Sequence, residues 1–95
     1  MTMQSARPRH FTSRSFRAEL AGLPDPIKDL AFKNFKLLRE DLRHPSLHFK
    51  KVGELWSARV GKNHRALATE IEGGFLWVWI GLHREYERMI RQTRK

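Results

Sequence analysis

Residues 54–86 read ELWSARVGKNHRALATEIEGGFLWVWIGLHREY, and this stretch decides the fold. Its pattern alternates with a period of two and breaks at glycines, which predicts three consecutive antiparallel strands. In the first, Trp56, Ala58 and Val60 take one face, and Leu55, Ser57 and Arg59 the other. Gly61-Lys62-Asn63 supplies a hairpin turn, since Gly and Asn tolerate positive φ. His64 to Ile71 forms the next strand and Gly73-Gly74 the next turn. Phe75 to Ile80 is apolar on both faces, with Phe75, Trp77 and Trp79 opposite Leu76, Val78 and Ile80. That is expected of a central, buried strand. Gly81 is expected to break it, and His83 to Gln92 to follow as a short helix or a basic tail.

Upstream, the period is helical. Ser13 or Ser15 can cap a short helix, because a serine hydroxyl accepts an orphan backbone N–H. Phe16, Leu20 and Leu23 then share one face, and Gly22 and Pro24 end the helix. Asp25 is a plausible N-cap, with Pro26 suited to the first turn. The segment PIKDLAFKNFKLLREDL carries Ile27, Leu30, Ala31, Leu38 and Leu42 along one stripe, with Phe35 at its edge. Lys28, Lys33, Lys36, Arg39 and Glu40 sit mostly opposite. Pro45 is expected to stop the helix. Such a hairpin of helices needs something to cover its apolar face, and a sheet serves. Ser46 to Val52 alternates weakly and reads as a first sheet strand. Arg9 to Thr12 can add an edge strand.

The expected fold is therefore α+β, with two N-terminal helices on one face of a four-stranded antiparallel sheet. An N-terminal edge strand and a short C-terminal helix can extend it. At 95 residues, one domain over 9–95 follows, preceded by a flexible segment over 1–8. Without cysteine there is neither a disulfide framework nor a thiolate metal site. No apolar run approaches the roughly 20 residues of a membrane span, and no apolar segment follows the first charges. A cytoplasmic protein is the expectation.

Nineteen Lys/Arg against ten Asp/Glu give a net charge of +9. A small domain so basic suits polyanions such as nucleic acid or an acidic protein. Arg59 and Arg65 flank the hairpin turn and can pair across it. Two guanidinium groups side by side repel unless an anion or a carboxylate lies between them. The plainer alternative is surface arginines bridged to Glu54, Glu70 or Glu85. His83 follows a buried strand, so a rigid base presents an imidazole, which titrates near neutrality and suits proton transfer. Tyr86 would share its face on a helix, or be a core tyrosine with a hydrogen-bonded hydroxyl. Trp56, Trp77 and Trp79 read as core. No Gly-rich phosphate loop is present, and Pro45 separates His44 from His48, which argues against a helical metal face.

These motifs in this order resemble the RelE/ParE toxin superfamily. The likeness covers about residues 9–90. It rests on Leu23-Pro24, His44-Pro45-Ser46-Leu47, Trp56 to Gly61 (WSARVG), Asn63-His64-Arg65-Ala66, and Gly81-x-His83-x-x-Tyr86. The resemblance implies the toxin of a type II toxin–antitoxin pair, held by a small, partly disordered antitoxin. It implies a ribosome-dependent mRNA endoribonuclease that uses neither metal nor cofactor. ParE-like members instead inhibit DNA gyrase, and an inactive toxin-fold binding protein is a third reading. For cleavage, His83 would move protons, Arg59 and Arg65 would clamp the phosphate, and Tyr86 would orient His83 or stack on a base. Lys50, Lys51, His64 and Arg84 would hold the RNA.

Overall fold

The computed structural model describes residues 7–93. Strand β1 spans Arg9–Thr12, helix α1 Arg14–Ala21 and helix α2 Asp25–Glu40. A 3₁₀ turn at Pro45–Leu47 leads to β2 (Lys50–Val52), β3 (Leu55–Val60), β4 (His64–Ile71) and β5 (Gly74–Leu82), and α3 (His83–Thr93) ends the described chain. The class is α+β, as expected. The sheet, however, has five strands in the order β1-β5-β4-β3-β2. Because β1 runs parallel to β5, the sheet is mixed, and β4 rather than β5 lies at its middle. The expected flexible segment falls mostly on residues 1–6, outside the described residues; Arg7 and Pro8 are exposed.

Both helices open where the sequence places them. Ser13 caps α1, its hydroxyl accepting from the Phe16 N–H at 3.0 Å. Pro24, one residue before the expected Asp25, precedes the first turn of α2. That helix ends at Glu40, well short of Pro45. Asp41 breaks it by turning extended, and its Oδ1 accepts from the Arg43 N–H at 3.0 Å. This local bond competes with helix continuation. The expected strand from Ser46 shrinks to three residues, because Pro45–Leu47 winds as a 3₁₀ turn and His48 is left-handed at φ 44°.

The core lies between the helix hairpin and one sheet face. It joins Phe16, Ala31, Leu38 and Leu47 to Ala58, Val60, Ala66, Ala68, Phe75, Trp77 and Ile80. Small alanines on β3 and β4 let the helices come close, and Trp77, only 1% exposed, fills the remaining space. The face assignment on β5 needs one correction. Leu67 pairs with Trp79 and Ala68 with Trp77, so Val78 is an extra residue. Such a bulge flips the alternation beyond it. Ile80 therefore enters the helix-side core, and Trp79 moves to the other face.

Gly81 does not break β5, which continues through it to Leu82. A Cβ there would lie 2.6 Å from Trp79 Cζ2 and 3.1 Å from Glu85 Oε1. The glycine makes room for the displaced tryptophan and for the first turn of α3.

The backbone groups left free by short edge strands are taken by helix groups. Beyond Trp77, β5 has no β1 partner. There the Ser13 N–H donates to Trp77 O, Ser15 Oγ donates to Val78 O, and Glu19 Oε1 accepts from the Ile80 N–H. At the other edge β2 stops opposite Ser57. Asn34, buried in the α2 stripe, donates from Nδ2 to Arg59 O at 2.8 Å.

Gly74 lets a neighbouring backbone come close. It pairs with Arg9, and an added Cβ would fall on the Arg9 carbonyl. Both atoms belong to backbone, so no rotamer relieves the clash. Gly74→Ala should cost roughly 1–3 kcal/mol and release β1, read as a lower urea midpoint and faster amide exchange at residues 9–12.

Candidate active site

The second sheet face carries the candidate chemistry. Strand alternation puts Ser57 and Arg59 of β3 on it with Arg65 and Leu67 of β4. Helix α3 folds back over this face and buries Tyr86, 4% exposed, against it. The Tyr86 hydroxyl donates to Ser57 Oγ at 3.3 Å. Tyr86 is thus a buried tyrosine with a bonded hydroxyl, and its ring is the wall of the site.

Arg59 and Arg65 stand directly opposite each other in the β3–β4 register. The Arg65 guanidinium lies 5.9 Å from the Tyr86 ring centroid, a cation–π distance. Its Nη1 donates to His64 O at 2.9 Å. Burial pushes the Arg65 pKa down, and the Arg59 charge pushes it further; Tyr86 and Glu87 act the other way. Neither arginine has a carboxylate within 4.0 Å among the described residues. The carboxylate bridges weighed from sequence are not formed there: Glu70 accepts from Trp56 Nε1 at 3.1 Å instead. The other polar contact of Arg59 is Nη1 to His48 Nε2 at 3.4 Å.

His83 begins α3. Its N–H donates to Asn63 O at 2.7 Å, which ties the helix start to the β3–β4 turn. The imidazole stacks on Tyr86 at 5.5 Å between centroids. Nε2 lies 3.1 Å from Glu87 Oε2, and Nδ1 is buried without a partner. In the neutral ring a proton on Nε2 satisfies the carboxylate and leaves a lone pair on Nδ1. An open hollow of about 320 Å³ lies beside His83, lined also by Asn63, Leu82 and Arg84. The buried Nδ1 lone pair is out of reach of solvent, so the group open to a proton is the exposed Glu87 carboxylate that the Nε2–H holds.

Of the residues singled out from sequence, Arg59, Arg65, His83 and Tyr86 come together. Arg84 is exposed one residue beyond His83. Lys50 pairs with Ser57, which puts it on the same face at the sheet edge. Two residues are not brought in. Lys51 pairs with Trp56 and so belongs to the helix-side face. His64 pairs with Val60 on that same face and is 8% exposed. Burial lowers its pKa and favours the neutral ring.

Sequence reasoning missed Glu87, whose signal was the i,i+4 spacing from His83 on the final helix. It also missed Asn34, a polar residue midway between Ala31 and Leu38 on the apolar stripe. His48 gave no signal, because its place depends on the left-handed turn.

No protein-family model and no curated protein sequence matches the chain. Solved structures do. The toxin in the RelB–RelE antitoxin–toxin complex from Methanococcus jannaschii is 17% identical, with a TM-score of 0.60 over 83% of this chain and 96% of that one. The archaeal RelE–RelB complex from Pyrococcus horikoshii OT3 gives 13% identity and 0.63 over 80% and 94%. The isolated RelE toxin of E. coli gives 10% and 0.60 over 90% and 97%. Identities this low carry no residue roles, but the superposition runs through nearly the whole of each relative, and the fold of this protein is the RelE-like toxin fold.

Proposed function

We propose that this protein is the toxin of a type II toxin–antitoxin pair and cleaves mRNA on the ribosome, without metal, as its resemblance to RelE-like proteins implies. The observation that carries the reading is the Arg59–Arg65 pair. Two arginines stand opposite each other in the β3–β4 register, and among the described residues neither has a carboxylate within 4.0 Å; beside Arg65 and Tyr86 lies a histidine that is hydrogen-bonded to a carboxylate. Such a face is short of one anion, and a phosphodiester supplies it.

In the proposed reaction the ribose 2′-OH attacks the adjacent phosphorus. Its proton passes to the His83–Glu87 pair, acting as one unit. The arginines stabilise the pentavalent phosphate as its charge grows. The P–O5′ bond breaks, and the departing 5′-oxygen takes a proton back, leaving a 2′,3′-cyclic phosphate and a 5′-hydroxyl. Tyr86 holds the imidazole plane, and Lys50 and Arg84 extend the cationic surface.

A small antitoxin is the proposed partner. The M. jannaschii and P. horikoshii relatives are seen in complex with RelB, and the +9 charge suits an acidic segment. The sheet covers part of the α2 stripe. What stays open is Phe32, 60% exposed, beside a groove lined by Phe16, Leu20 and Phe35.

Primer extension on mRNA in a purified translation system tests the reading, and cuts are expected only when ribosomes are present. Arg65→Lys keeps the charge but loses the bidentate fork. It should slow cleavage about tenfold while leaving the fold intact by circular dichroism. Growth arrest with intact mRNA and blocked supercoiling would overturn the nuclease in favour of gyrase inhibition.

A further inference from the structure

A second hollow of about 580 Å³ opens between α2, the 3₁₀ turn and the β3–β4 turn. It exists because β2 stops opposite Ser57, so the outer edge of β3 beyond that point has no strand beside it. Asn34 satisfies the Arg59 carbonyl there. Gly61, at φ 67°, brings the turn so near α2 that an added Cβ would lie 2.9 Å from Leu30 Cδ1.

The lining has two characters. Leu30 and Leu37 give apolar surface, Lys33 and Lys62 give cations, and among the described residues no carboxylate lines it. His44 adds a donor. Its Nδ1 accepts from the Ser46 N–H at 3.3 Å, so the neutral ring carries its proton on Nε2. Arg59 belongs to both sites: it pairs with Arg65 in the sheet register and also lines this hollow.

We infer that this hollow is a second nucleotide subsite, holding the base and phosphate of a nucleotide next to the one whose phosphate lies at Arg59 and Arg65. The inference rests on the RNA reading proposed above. Apolar side chains suit the face of a base, and Lys33 and Lys62 suit its phosphate. The size falls within the roughly 300–1,000 Å³ of small-molecule sites. An acidic protein segment would satisfy the same cations. The shared Arg59 favours RNA, since it joins the hollow to the sheet face that carries Arg65.

The test is equilibrium binding of 2′-O-methyl oligoribonucleotides of increasing length, which lack the attacking hydroxyl. Wild-type affinity should rise about tenfold at the added nucleotide that reaches the hollow. In Lys33→Ala/Lys62→Ala that step should vanish, while binding of the dinucleotide stays unchanged. The slope of log K against log salt should fall by about 0.7, the share of one phosphate contact on a single strand. Both lysines are exposed, so the variant should fold. Lys36→Ala/Arg14→Ala removes two exposed cations elsewhere and should keep the step.

A step that survives the double substitution would overturn the subsite and leave the RNA reading intact. Wild-type protein that binds no oligonucleotide, with or without ribosomes, would overturn both. RNA binding unchanged by the substitution, with binding to a polyglutamate peptide lost, would overturn the subsite in favour of an acidic protein segment.

Discussion

His83→Gln should lower mRNA cleavage by about 10²–10⁴-fold, the usual share of a positioned acid or base. Glutamine is close in size and its amide can still donate to Glu87, so the 3.1 Å contact has a substitute. It cannot accept a proton at neutral pH. The backbone anchor from His83 N to Asn63 O does not involve the side chain, and Tyr86 keeps its bond to Ser57. The variant should therefore stay folded and still bind its antitoxin. Primer extension in the translation system gives the rate, and circular dichroism checks the fold. Undiminished cleavage would show that Glu87 or another group carries the proton, and would leave the fold untouched.

Trp77→Ala should destabilise the protein by roughly 3–5 kcal/mol, the range for truncating a buried aromatic. The residue sits at the convergence of every layer of the core. Its ring lies 6.3 Å from Phe49 and 6.5 Å from Phe35 between centroids. Its Nε1 donates to His10 Nδ1 at 3.0 Å, so the change also removes one of the contacts that hold β1 to the core. The surrounding helices cannot collapse into the space without breaking the edge bonds to β3 and β5. For a domain whose total stability is about 5–15 kcal/mol, this is a large share, and urea unfolding measures it. A loss under about 1 kcal/mol would mean that the ring is not the keystone of the core.

The tryptophans show how far the sequence reached. Period-two alternation grouped Trp56 with Ala58 and Val60, and Trp77 with Phe75, as the structure has them, because pleating alone decides side-chain direction while pairing stays regular. The same rule failed at Trp79. A bulge is a mismatch between two strands, and a single strand's sequence holds no record of it. The Arg59–Arg65 pairing was legible for the opposite reason: a three-residue turn between the strands fixes the register locally.

The sequence by itself determined the element types, the β3–β4 hairpin and the helix stripe, since these rest on neighbours a few residues apart. It also offered a shared face for His83 and Tyr86 on condition that a helix starts there, and α3 does. Only the tertiary structure decided which groups satisfy one another across long separations. The parallel docking of β1 on β5 depends on Gly74 admitting a distant carbonyl. Burial of His64 and Tyr86, and the separation of Lys51 from the site, follow from which sheet face α3 and the helix hairpin each occupy. Glu87 lies between these cases: its spacing was in the sequence, but its use depends on α3 starting at His83, where the Asn63 carbonyl captures the backbone.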